Sequence, residues 1–213
     1  MLDGKHLKIR RKPYTFYLAF DAERMQPLSW ILLPRYELRD GYDRILRFFL
    51  LKHIVIQSVV SDGHRGISAS LRDHYPRAVH QHCAFHVMME VLRKSGGARA
   101  LRTEAGRAYW KKIRRVALDD LSLAAARRHL AKLFLDYPER IRPLRTLQRS
   151  LPSIYRWTAL PEVLAAHRTS NRIENCMNQI EARLKTMRGL KTSDTAAKTI
   201  ATLLKLRRLS TKR

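Results

Sequence analysis

Acidic residues are scarce in this sequence: 18 Asp and Glu stand against 43 Lys and Arg, a formal charge of +25 at pH 7. A chain so unbalanced repels itself unless a polyanion takes up the charge, and nucleic acid is the commonest such partner. Cysteine is nearly missing, with only Cys83 and Cys176. Two thiols make no disulfide framework, which excludes the stapled secreted scaffolds and fits a reducing cytosol. Long apolar runs are absent as well. None approaches the 18 residues of a membrane helix, and the opening MLDGKHLKIRRK has no apolar core of the signal-peptide kind. Hydrophobic content is an ordinary 45%, so the chain is no disordered basic tail. The expectation is a cytoplasmic, nucleoid-associated domain with a polyanionic partner and no membrane contact.

The order of elements narrows the fold. Leu2, Leu7 and Ile9 alternate weakly over 1–10, and after the basic turn at Arg10 to Pro13 the aromatic run over 14–22 reads as a strand. LSWILL over 28–33 follows one short turn later, so three strands make an antiparallel meander. Ile45, Leu46, Phe49 and Leu50 have helical spacing and predict a helix over 42–53. The stretch IVIQSVVSDGHRG over 54–66 reads as a strand buried on both faces, running into Asp62 and a glycine turn. Ile67, Leu71 and Tyr75 share a helical face that Pro76 ends, and 78–85 reads as a fifth, shorter strand. Three antiparallel strands followed by two helix-connected ones is the order of an RNase H-like sheet.

Beyond Val87 strand signals vanish. Helices are expected over 87–93, 103–117, 121–136 and 139–147, then one long helix over 169–187 and a basic helix over 194–209. The expected fold is therefore α/β: an RNase H-like mixed five-stranded sheet with an all-helical insertion before the last catalytic helix. The segments would be 1–86 for the first part of the core, 87–165 for the insertion and 166–213 for the helix and basic tail that complete the core.

Three acids stand out by position: Asp3 in the first strand, Asp62 at the end of the fourth, Glu174 in the helix after the insertion. The first and fourth strands are neighbours in such a sheet, and a late helix crossing that edge could bring the third acid. Asp21 competes with Asp3 because its strand is the stronger one, but sheet order favours Asp3. Asp62 could equally cap the helix that follows it. Clustered carboxylates repel one another unless a hard cation neutralises them, and Mg²⁺ or Mn²⁺ suits such oxygen ligands. Two ions about 3.5–4 Å apart can serve in-line displacement at phosphorus.

The pieces LDGKHLK, VVSDGHRG, HCAFH and TSNRIENCMNQ, in that order and with a helical block between the last two, resemble the DDE transposases of the Mutator-like (MULE-type) superfamily and their bacterial insertion-sequence relatives. The resemblance covers essentially the whole chain. It implies an RNase H-like catalytic domain that cuts transposon ends with Mg²⁺ or Mn²⁺ and joins the 3′-hydroxyl to target DNA. It puts Asp3, Asp62 and Glu174 on the three catalytic, metal-holding acids. It also implies more than one subunit to pair two ends. The family normally carries an N-terminal DNA-binding region, so the chain is expected to be N-terminally truncated. An inactive remnant that only binds DNA, or a plain nuclease, remains open.

Other positions carry supporting expectations. The resemblance puts Cys83 and His86 near the active edge as supports. One C-x-x-H supplies two ligands where structural zinc takes four, so zinc is not expected. Asn171 would hold the acid, contact DNA or serve as first-turn polar surface. His64 and Arg65 would meet DNA at a helix start. Arg107, Lys111, Lys112, Arg114 and Arg115 crowd one helix, and Arg172, Arg183, Lys185, Arg188 and Lys191 follow the catalytic one. All are read as phosphate contacts, giving affinity rather than sequence specificity. Trp110 and Trp157 are expected to pack rather than stack on bases.

Overall fold

The computed structural model describes residues 1–120, 122–160, 169–186 and 192–210, the side chains of 208–210 excepted. The fold is mixed α/β and mostly helical, with a three-stranded antiparallel sheet and a second sheet of two strands. Two compact units divide the chain: Met1–Ala78 with Ser170–Arg213, and Val79–Thr169.

The first unit is built on β1 (Leu2–Ile9), β2 (Lys12–Asp21) and β3 (Gln26–Leu33), in that order across the ladder. The hairpin between β1 and β2 pairs Ile9 with Lys12, leaving Arg10 and Arg11 as a two-residue turn. Both have positive φ, 50° and 65°, as a type I′ turn requires. Asp21 closes the next turn, its Oδ1 accepting from the backbone N–H groups of Glu23 and Arg24 at 2.9 and 3.0 Å. This rival acid is thus engaged in turn geometry.

Central β2 is buried from Thr15 to Phe20 because both of its faces are covered. On one face Tyr17 and Ala19 pack with Ile45, Leu46 and Phe49 of α1 (Arg39–Leu51) and Ile67 and Leu71 of α2 (Arg65–His74). On the other, Phe16, Leu18 and Phe20 pack with Ile173, Met177 and Ile180 of α7 (Asn171–Thr186) and Ile200 of α8 (Ser193–Ser210). The unit is a helix–sheet–helix sandwich. Fully burying each such apolar side chain contributes roughly 1.5–3 kcal/mol, so the alternation along β2 sets which helix lies on which face.

The fourth strand is shorter than its apolar run. β4 spans only Ser58–Ser61, while Val55 is 83% exposed and Ile54 lies outside the strand. Apolar character alone did not bury those two. The expected strand over 78–85 also stops early: β5 is Val79–His82, and Cys83 is the N-cap residue of α3 (Ala84–Lys94).

The second unit is a helical bundle of α3, α4 (Glu104–Arg114), α5 (Leu123–Asp136) and α6 (Ile141–Ile154) around Met88, Val91, Ile113, Leu130, Leu144 and Leu147. Thr103 and Ser122 cap α4 and α5 through side-chain oxygens that accept from Gly106 and Ala125 N–H. Trp110 and Trp157 pack against this core, as expected of them.

Candidate functional site

Asp3 sits inside the ladder rather than at its frayed end. Leu2 pairs with Ala19, Asp3 with Leu18, and Met1 exchanges both backbone hydrogen bonds with Phe20. Strand alternation sends Leu2 and Gly4 toward α1 and sends Asp3, Lys5 and Leu7 toward α7. Asp3 is 8% exposed, and its Oδ1 accepts from Gly4 N–H at 2.8 Å. Burial, then the charge of Asp62, push its pKa up to about 7; Glu174 and Glu37 add to the rise, and the Gly4 hydrogen bond opposes it.

Asp62 follows β4, which lies alongside β1. Its Oδ1 accepts from His64 N–H at 2.8 Å, and Gly63 turns the chain with φ +86°, a value glycine adopts without strain. His64, not Asp62, caps α2: its Nδ1 accepts from Gly66 N–H at 3.2 Å. The capping role therefore falls two residues later, and the Asp62 carboxylate is left at the strand end.

Glu174 reaches the same region because α7 runs along β1. Lys5 Nζ donates to Asn178 Oδ1 at 2.6 Å and pairs with Glu181 at 2.9 Å, and Glu181 also pairs with Lys185. Glu174, Asn178 and Glu181 are spaced four and three apart, one face of a helix. With that face clamped to Lys5, its first turn falls near Asp3. The buried Ser170 hydroxyl donates to Glu174 Oε1, and Ser170 C=O accepts from the Glu174 N–H at 3.1 Å.

A fourth carboxylate belongs to the cluster. Glu37, in the turn before α1, accepts a hydrogen bond from the Tyr42 hydroxyl and lies 3.6 Å from His64 Nδ1 and 3.8 Å from His6 Nε2. Burial and this carboxylate push Tyr42 well above the ordinary phenol range. A Cβ on Gly4 would lie 2.7 Å from the Tyr42 hydroxyl and 2.8 Å from the Glu37 carboxyl carbon, so only glycine lets β1 approach this pair. No motif marks Glu37; the one hint was the glycine beside Asp3 in a strand.

The acids of this chain divide between those held in ion pairs and those without a cationic partner. Asp40, Asp43, Asp73, Asp136, Glu181 and Asp194 each pair with a Lys or Arg. Among the described residues no Lys or Arg pairs with Asp3 or Asp62, nor with Asp21, Glu23, Glu104 or Asp119. The donors are all carboxylate oxygens, the set a hard divalent cation takes. The ligand oxygens of Asp3, Asp62 and Glu174 do not all lie within 4.8 Å of one another.

Two family models match the sequence: the MULE transposase domain over residues 5–90, and transposases of the Mutator family over residues 51–208. The second spans most of the chain. The chain belongs to the Mutator family of transposases. No curated protein matches it. Membership makes DNA the general partner of this Mutator-family chain, in keeping with its charge. Among the described residues no helix is long and apolar enough to cross a membrane.

The remaining expected residues of this transposase fall in several places. Asn171 opens α7 and is exposed, as is Arg65 at the start of α2. Arg172 donates to the carbonyl of Ala22 on the β2–β3 turn, and Arg183 and Lys185 lie on the exposed side of α7. Cys83 is buried at the start of α3 and His86 is half-buried in its first turn, in the helical unit. On α4, Lys111 and Arg114 are exposed. Arg107 donates to the carbonyls of Leu101 and Arg102, and Lys112 pairs with Asp136 and covers the Tyr137 ring. Arg115 opens a π-helical turn after α4 and is exposed. Arg188 and Lys191 lie outside the described residues.

Proposed function

We propose that this Mutator-family chain is the catalytic domain of a DDE transposase with an RNase H-like core, cleaving DNA at transposon ends and joining the 3′-hydroxyl to target DNA. Asp3, Asp62 and Glu174 would hold Mg²⁺ or Mn²⁺. The observation that carries this reading is Asp3, raised by its burial and then by the charges of Asp62 and Glu174, two acids far from it in sequence.

The chain's own groups hold the acids ready. Gly4 N–H, His64 N–H and the Ser170 hydroxyl each fix one carboxylate oxygen of Asp3, Asp62 and Glu174. Lys5 ties the helix of Glu174 to the strand of Asp3. A divalent cation held by these acids would supply the positive charge that lowers the pKa of the attacking water or 3′-hydroxyl and offsets charge developing at phosphorus. The exposed basic residues of α4 and α7 track phosphates and give affinity without sequence readout. Pairing two DNA ends calls for more than one subunit.

The test is cleavage of transposon-end DNA in Mg²⁺ by the wild-type chain and by Asp62→Ala. Cleavage by the wild type and its loss in the variant support the reading. Equal cleavage by both removes Asp62 from the chemistry, and DNA binding without any cleavage makes the chain a basic DNA-binding remnant.

A further inference from the structure

Three residues down β1 from Asp3, the first unit carries a groove of about 560 Å³ that the catalytic reading leaves unused. Its floor is apolar, from β1 and the end of α7, and its rim carries His6, Lys8, Arg11, Tyr36, Glu181 and Lys185. Glu181 is already paired with both Lys5 and Lys185, so the rim is net positive. Tyr36 is 69% exposed, and its ring makes a T-shaped contact with the His6 ring at 6.0 Å between centroids, so most of the aromatic surface faces solvent. The turn that presents Arg11 has arginines at two positive-φ positions where Asn-Gly is favoured. Local backbone preference does not explain basic side chains there, and strain of this kind gathers at functional positions.

We propose that this groove binds one unpaired nucleotide of the DNA strand, its base stacked on Tyr36 and its phosphates met by Lys8 and Arg11. The inference rests on DNA being the substrate of the acid cluster. The volume falls in the range of pockets that enclose a small molecule, roughly 300–1,000 Å³. A basic face alone serves a duplex, whose bases are already stacked. An exposed aromatic ring beside a concave apolar floor serves a base that has left the stack, the combination that single-strand binding uses. His6 lies about 10 Å along the strand from Asp3, at about 3.3 Å per residue. That distance is roughly three stacked nucleotides at about 3.4 Å each. The groove would thus hold a base close to the phosphate being cut.

The test measures binding of the full chain to a single-stranded oligonucleotide carrying 2-aminopurine, and to the duplex of the same sequence, with EDTA present. Tyr36→Ala is expected to weaken single-strand binding about tenfold, within the roughly 5- to 150-fold range for loss of one stacked base. Tyr36→Phe should stay within about twofold of wild type, and duplex binding should be unchanged in both. Single-strand binding by Tyr36→Ala as tight as wild type, or an equal loss for single strand and duplex, overturns the proposal. Because no cation is present, the two readings fail separately: absent cleavage with Tyr36-dependent binding sinks the catalytic one, and cleavage without that binding sinks the groove.

Discussion

Asp62 acts on Asp3 from the adjacent strand end, and after burial its charge is the largest influence holding the Asp3 carboxyl near pKa 7. An acid of ordinary pKa would be fully ionised there. Asp3 is instead partly protonated at neutral pH.

Without a cation, this arrangement costs stability. The folded pKa of Asp3 lies above the unfolded value of 3.8, so its favourable contribution is complete below about pH 4 and is lost as pH rises through 7. Asp3→Asn, which mimics the protonated acid, should stabilise the chelated protein at pH 8 by up to about 4 kcal/mol. The gain should shrink steadily toward pH 4. Urea unfolding of both proteins in EDTA across that window checks it, and a gain independent of pH contradicts it.

Gly4→Ala should destabilise the first unit by about 1–3 kcal/mol, because its Cβ meets Tyr42 and Glu37 at under 3 Å. Tyr42→Phe should cost a similar amount, about 1.5–3 kcal/mol, by removing the hydroxyl that donates to the Glu37 carboxylate. Chemical denaturation reads both. Neutral effects would mean that Glu37 is not held as described.

Lys5→Ala removes the tie between β1 and α7. Its side chain is only 27% exposed, and two partners depend on it. The expected loss is about 1 kcal/mol of stability, together with a fall in cleavage rate greater than any fall in DNA affinity, since the helix bearing Glu174 loses its register on the strand bearing Asp3. Equal losses in rate and affinity would point to a phosphate contact instead.

In the helical unit, burial, with His82 and Arg156 nearby, lowers the pKa of His80 to about 4. Its folded value lies below the unfolded 6.5, so the stability it contributes is complete above about pH 6.5 and is lost as pH falls toward 4. Replacing it with Gln should flatten the acid limb of a stability–pH curve by up to about 3 kcal/mol. An unchanged limb would place the acid sensitivity elsewhere.

Much of this was readable from residue order, and the exceptions have physical causes. Alternation and aromatics marked β1 to β3, because a strand between two helical layers must bury both faces of residues such as Phe16 and Tyr17. The same rule extended β4 too far: Ile54 and Val55 are apolar but lie where no second layer covers them. β5 ended early because α3 starts at Ala84 with no Pro or Gly to announce it. Ser170 and Glu174 have the wrong spacing for a capping box, yet the Ser170 hydroxyl reaches the Glu174 carboxylate from one turn back. Glu37 and the tie from Lys5 to Asn178 and Glu181 could not be read at all. The first lies in a turn without a motif, and the second joins residues more than 170 positions apart.

The most direct measurement is Mn²⁺ titration of the purified chain, followed by the loss of the free-ion electron paramagnetic resonance signal. Wild type should bind Mn²⁺, and Asp3→Asn, Asp62→Asn and Glu174→Gln should each weaken binding at least about tenfold, the lower end of the loss seen when even a residue that only supports a ligand is removed. Equal Mn²⁺ binding by all four proteins, or none by the wild type, would contradict a metal centre at these three acids.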